Sequence, residues 1–118
     1  MIDRPWAERF AAEWIAAWNA HDLGAILAHY TDDVVFHSPR IAVVTGEAVV
    51  SVTGKEALAR YWSRALAGAP DLRFTLTRVY VGSDTLAIAY RNHRDEDAIE
   101  TFVFAPDGKI LESMATYA

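Results

Sequence analysis

What most constrains the fold of this chain is a change of period partway along it. In "DRPWAERFAAEWIAAWNAHD" the aromatic residues Trp6, Phe10, Trp14 and Trp18 recur every four residues, which sets them along one face of a single long helix. From Pro70 onward the pattern alternates by twos, in "LRFTLTRVYV", "TLAIAYRNH", "AIETFVFA" and "KILESMATY", separated by turn-forming "GSD", "RDED" and "PDGK". Helices first and strands afterward argues against a doubly wound parallel sheet. It predicts an α+β fold, a curved antiparallel sheet with three helices of the N-terminal half on its concave face.

The helices carry their own punctuation. Asp3 can cap the first and Pro5 can open it. Asp22 can cap a second, shorter helix with Leu23, Ile26, Leu27 and Tyr30 on one face, ahead of a Thr31-Asp32-Asp33 turn. "VVFHSP" reads as a short strand stopped by Pro39. Residues 40–53 leave two readings open, a small hairpin or a loop over a pocket. "TGKEALARYWSRALAG" predicts the third helix, with Thr53 and Glu56 in capping-box spacing and Gly68 at its end.

The 118 residues fit a single domain spanning 1–118, without repeats or low-complexity linkers. A net charge of −5 with acids and bases interleaved offers no cationic face for a nucleic acid. Without cysteine there is no disulfide framework, thiolate metal site or thiol nucleophile. The N-terminus lacks an apolar signal core and no apolar run approaches the roughly 18 residues of a spanning helix, so the expectation is a soluble, cytoplasmic protein without membrane contact.

A curved sheet under helices encloses a cone-shaped space suited to a small ligand. Strand alternation puts Val34, Phe36 and Ser38 on its inner face, then Leu86, Ile88, Tyr90 and Asn92, then Ala98, Glu100, Phe102 and Phe104. The expected cavity is aromatic, lined by Trp14, Trp18, Phe36, Tyr61, Tyr90 and Phe102, with Ser38, Arg40, Asn92 and the Trp14 indole N–H as polar groups. Glu100, a carboxyl among phenyl rings, is the candidate general acid/base. The competing account pairs it with Arg78 or Arg91, or leaves it in water at the sheet edge. His37 is the reserve base. It alternates with Ser38 and reaches the cavity only where a bulge near Pro39 turns the strand. The tryptophan stripe also reads as core packing, and His21 and His29 as surface or capping residues.

"RNHRDED" at residues 91–97 lacks the spacing of a metal site and reads as a solvated hairpin tip, so no metal is expected. The sequence has no GxSxG, HExxH, GxGxxG or P-loop pattern. The chemistry left is acid–base.

"EWIAAWNAHDLGAILAHYTDDVVFHSP", followed by "TGKEALARYW", "PDLRF" and a late "DGKI", resembles the SnoaL-like and ketosteroid-isomerase-like branch of the nuclear transport factor 2-like superfamily. The resemblance spans nearly the whole chain. It implies a cone-like α+β barrel with a deep pocket, no obligatory cofactor, and homodimers through the outer face of the sheet, where Val79, Val81, Ile99 and Val103 are expected. Ketosteroid isomerases use an Asp base with a Tyr and a protonated acid on the enolate oxygen. Carried over by residue, the tyrosine falls on Trp14, the base on Ser38 and the protonated acid on Glu100, so one of three roles keeps its chemistry. The polyketide-cyclase-like members are similar in fold and rely on a single pocket acid. The resemblance therefore implies a hydrophobic, carbonyl-bearing ligand, with either isomerase- or cyclase-type proton transfer or plain ligand binding.

Overall fold

The computed structural model describes residues 2–118. Helix α1 (Arg4–Asn19) starts where the Asp3 carboxylate accepts the Trp6 backbone N–H at 2.8 Å, with Pro5 in the first turn. Its stripe of Ala7, Phe10, Ala11, Trp14, Ala17 and Trp18 is buried. Asp22 caps α2 (Leu23–Leu27) through the Ala25 N–H at 3.1 Å. Four helices occur among the described residues, α3 (Arg40–Thr45) and α4 (Lys55–Ala67) being the others.

Six strands follow the order β2-β1-β6-β5-β4-β3, with β1 at Tyr30–His37, β2 at Ser51–Thr53, β3 at Thr75–Val81, β4 at Thr85–Arg91, β5 at Asp97–Phe104 and β6 at Ile110–Tyr117. Both edge strands lack an outer partner, so the sheet curls without closing. The alternation read from the sequence is the alternation in space: Val34, Phe36, Leu86, Ile88, Tyr90, Ala98, Phe102 and Phe104 all enter the core. Among the described residues no helix is long and apolar enough to cross a membrane.

Several local expectations are corrected. The sheet is mixed, because β1 lies parallel to β6 while the other pairs are antiparallel; alternation fixes which face a residue takes and is silent on strand direction. Thr31, Asp32 and Asp33 belong to β1, where the register against β6 shifts between Tyr30 and Val35 and leaves both aspartates exposed. Residues 40–53 are neither a hairpin nor a plain loop but α3 followed by β2.

The capping box at the start of α4 does not form. Thr53 is held in β2, and Gly54 takes the cap position at φ +92, a conformation that costs a residue without Cβ little. Val79 and Val81 pair with the inward-facing Ile88 and Leu86, after a register shift between Leu76 and Arg78, so they sit on the core side of β3. The outer face presents Ile99, as expected, together with Tyr80 and Leu111.

Candidate active site: a buried glutamate in an aromatic cavity

Two kinds of packing meet along α1. Toward its start Trp6 and Phe10 lock against Phe104 of β5 with ring centroids 5.2 and 5.1 Å apart, and Phe10 meets Phe102 at 5.4 Å. Toward its end Trp14 and Trp18 face rings carried by other elements, Phe74 and Tyr90 on one side and Trp62 on the other. There the layers stand apart and leave a cavity of about 440 Å³, the size of a small-molecule site.

Trp14, Trp18, Phe36, Ser38, Arg40, Tyr61, Tyr90, Asn92 and Glu100 all line this cavity, as their sequence pattern places them. Two expected members do not. Phe102 is fully buried behind Trp14 and Phe10, one pair further toward the packed end than the cavity reaches. His37 is corrected as well: β1 keeps its alternation to the end, the ring turns to the outer face, and its Nε2 meets the Glu112 carboxylate at 2.8 Å. No bulge turns it inward.

Glu100 is the deep polar group, 4% exposed. Neither Arg78 nor Arg91 reaches it; Arg91 lies 3.8 Å from both Asp95 and Asp97. Its partner is Ser113, two residues along β6 from its cross-strand neighbour Ala115, and the Ser113 hydroxyl donates to Oε2 at 3.0 Å. Burial pushes the carboxyl up to about 8, and the Ser113 hydrogen bond offsets that only in part.

A second hydrogen bond lies further back. The Trp14 indole, which can only donate, gives its N–H to the Tyr30 hydroxyl at 3.1 Å. On the neighbouring strand the Ser113 hydroxyl gives its proton to Glu100. Trp14 thus serves Tyr30 rather than a ligand through its N–H. With Oε2 held as an acceptor, the acidic proton of neutral Glu100 belongs on Oε1, which has no protein partner among the described residues.

The tyrosines around the carboxyl respond to it. Tyr30 and Tyr90 are raised well above the ordinary phenol range by burial and then by Glu100. Tyr61 is pushed up to about 12, by burial first. All three are hydrogen-bond donors at any neutral pH, and the Tyr90 and Tyr61 hydroxyls carry no protein partner among the described residues.

The mouth is polar and tied together. Arg40 ion-pairs with Glu96 and stacks its guanidinium 4.5 Å from the centre of the Tyr117 ring. The Asn92 amide is fully engaged in the β4–β5 turn, donating to Glu96 at 2.9 Å and accepting from the backbone N–H groups of Arg94 and Glu96. Ser38 accepts the Arg40 backbone N–H at 3.1 Å. Trp62, Phe74, Tyr117, Arg64, His93 and Arg94 also line the space and were not singled out by pattern. For Ser113, Ala115 and Tyr117 the alternation of the last strand carries that information; for Arg64 and the turn residues only the packing does. Among the described residues no cluster of three or more His, Cys, Asp or Glu is placed to hold a metal.

Comparison with known proteins bears on the family and the fold. The family model of the SnoaL-like domain matches residues 11–113. A SnoaL-like protein of unknown function from Burkholderia thailandensis E264 is 42% identical, with a TM-score of 0.92 over 100% of this chain and 99% of that one. TerC, crystallised with polyporic acid, superposes with a TM-score of 0.77 at 12% identity, over 95% of this chain and 91% of that one. A candidate polyketide cyclase from Sinorhizobium meliloti gives 0.73 at 15% identity, over 92% and 94%. These last two likenesses concern the fold. No curated protein matches the chain in sequence.

Proposed function

The chain belongs to the SnoaL-like domain family, and from that premise we propose that it binds a hydrophobic, carbonyl-bearing small molecule in the cavity and moves a proton alpha to that carbonyl, without a cofactor. The observation that carries this reading is Glu100: a carboxyl raised to about 8, one oxygen held by Ser113 and the other free in an aromatic chamber. A group titrating near the working pH can both take and return a proton.

In the anionic form Glu100 Oε1 removes the α proton, and the electron pair of the broken C–H bond moves onto the carbonyl oxygen as an enolate. The unpartnered hydroxyl of Tyr90 or Tyr61 donates to that oxygen. Glu100, now neutral, returns the proton to a second carbon of the same enolate, which completes an isomerisation; in a cyclisation the enolate carbon attacks a second carbonyl and the new alkoxide takes the proton. At pH 7 about a tenth of Glu100 is carboxylate, so the rate rises with pH and levels off above about 8. Isomerase- and cyclase-type chemistry share this first step.

The test is deuterium uptake at the α carbon of 3-benzoylpropionate in D2O, followed by NMR. Wild type is expected to exchange the proton and Glu100→Gln to lose exchange while still binding; equal exchange in both would remove Glu100 from the chemistry. A second reading, ligand binding without turnover, is favoured by Ser38 standing where the isomerases keep their base. It predicts ligand-dependent thermal stabilisation with no exchange. We also place a homodimer interface on the outer sheet face, where Tyr80 is 50% and Ile99 39% exposed. Light scattering checks it, since a monomer at micromolar concentration removes that element.

A further inference from the structure

Building on the reading of the cavity as a ligand site, we infer that the ligand is an anion: an apolar carbonyl compound bearing a carboxylate or a group of like acidity, its charge received at the mouth by Arg64 and Arg94. The chain as a whole is acidic, 16 acids against 11 basic residues, yet the cavity wall reverses that balance. Three arginines line it, Arg40, Arg64 and Arg94, against one carboxyl, Glu100.

Some of that positive charge is answered within the protein. Arg40 is paired with Glu96. Glu96 also feels the charge of Arg94, but one carboxylate between two guanidiniums neutralises only one. Arg64, from the last turn of α4, and Arg94, from the β4–β5 turn, form no ion pair among the described residues. Two positive charges from separate elements are thus presented at one opening.

The unpaired groups of the wall want the same kind of partner. The Trp18 indole N–H is buried, lines the cavity and has no hydrogen-bond acceptor, and a Trp N–H can only donate. The hydroxyls of Tyr61 and Tyr90 are likewise without protein partners among the described residues, and Glu100 offers the proton on Oε1. A wall with excess donors and positive charge selects a ligand rich in acceptors and negative charge. The aromatic walls take its body, the deep donors its carbonyl, and the arginines its charged end. Such sites also gain association rate at low salt, because low-dielectric walls focus the field at the opening.

The experiment pairs 3-benzoylpropionate with its methyl ester, compounds that share the aryl ketone and differ in charge, titrated by quenching of the cavity tryptophans. Because the arginines stand in solvent at the rim, the expected preference for the carboxylate is about tenfold at low salt and shrinks at about 0.5 M NaCl. In the double variant Arg64→Gln/Arg94→Gln the carboxylate-to-ester ratio falls toward one. Equal binding of the two compounds by wild type overturns the anion inference and leaves the cavity reading standing. A preference that survives the double variant overturns the assignment to Arg64 and Arg94. If neither compound perturbs the tryptophans, the cavity reading fails and the anion inference with it.

Discussion

The two ends of the cone are built from one aromatic stripe and do opposite things with it. At the packed end Trp6 and Phe10 of α1 close directly on Phe102 and Phe104, ring against ring. At the open end Trp14 and Trp18 have the same spacing, but α4 brings Trp62 between α1 and β1, and Phe74 reaches in ahead of β3. The interposed elements hold the layers apart. An aromatic residue therefore becomes core or cavity wall according to what stands opposite it, and only the polar groups differ in kind: the packed end has none buried, the open end has Glu100, Ser113 and Ser38.

The contrast predicts its largest effect at the packed end. Phe102→Ala removes a fully buried ring from between Phe10 and Trp14 and is expected to cost about 3–5 kcal/mol, read by chemical denaturation. Tyr61→Ala, at the cavity wall, should cost clearly less because its ring already faces space on one side. Equal losses would mean that the cavity is packed in solution and the two ends are alike.

Next in size is the pH dependence set by Glu100. The folded chain keeps this proton to about pH 8, whereas an unfolded glutamate releases it near 4.5. Between those values the folded state binds more protons than the unfolded one, so this group makes stability fall as pH rises, and its effect levels off above about 8. The total is on the order of a few kcal/mol at about 1.4 kcal/mol per unit of pKa. Glu100→Gln removes that slope, so melting curves of the two proteins diverge from pH 5 to pH 9 in favour of the variant. Parallel curves would mean that Glu100 is solvated, and the open end would lose its distinguishing group.

Much of this was legible in the residues. Period-four and period-two spacing located α1 and the strands of the second half and assigned the inner face of β1, β4 and β5, because burial acts on alternation directly. Of what was not, three things show why. The parallel pairing of β1 with β6 depends on chain direction, which side-chain alternation does not encode. The face of Val79 and Val81 is inverted by a register shift that alternation cannot register. The link from Ser113 to Glu100 was not legible either, since neither residue's own strand pattern pairs the two across β5 and β6.

That link gives the third prediction. Ser113→Ala deletes the hydroxyl that donates to Glu100, leaving a buried carboxyl oxygen without its donor. The expected cost is about 1–3 kcal/mol, with the Glu100 titration, followed by carboxyl NMR, moving further upward as its one stabilising hydrogen bond is lost. An unmoved titration would mean that burial alone sets Glu100.

The smallest effect belongs to the residue that alternation turns away from the cavity. His37 and Glu112 form their pair on the outer face with side chains 41% and 44% exposed, so a double-mutant cycle should find a coupling below about 1 kcal/mol, weakened by salt. Since Phe36 and Ser38 on either side point inward, His37→Ala should also leave α-proton exchange and ligand affinity at wild-type values. The two readouts separate cleanly: stability tests the His37–Glu112 contact, and exchange tests the direction of the strand. A large loss of exchange with stability intact would put His37 back among the chemical groups and would mean that β1 turns near Pro39 when ligand binds. The cavity would then have a second base where Ser38 leaves none.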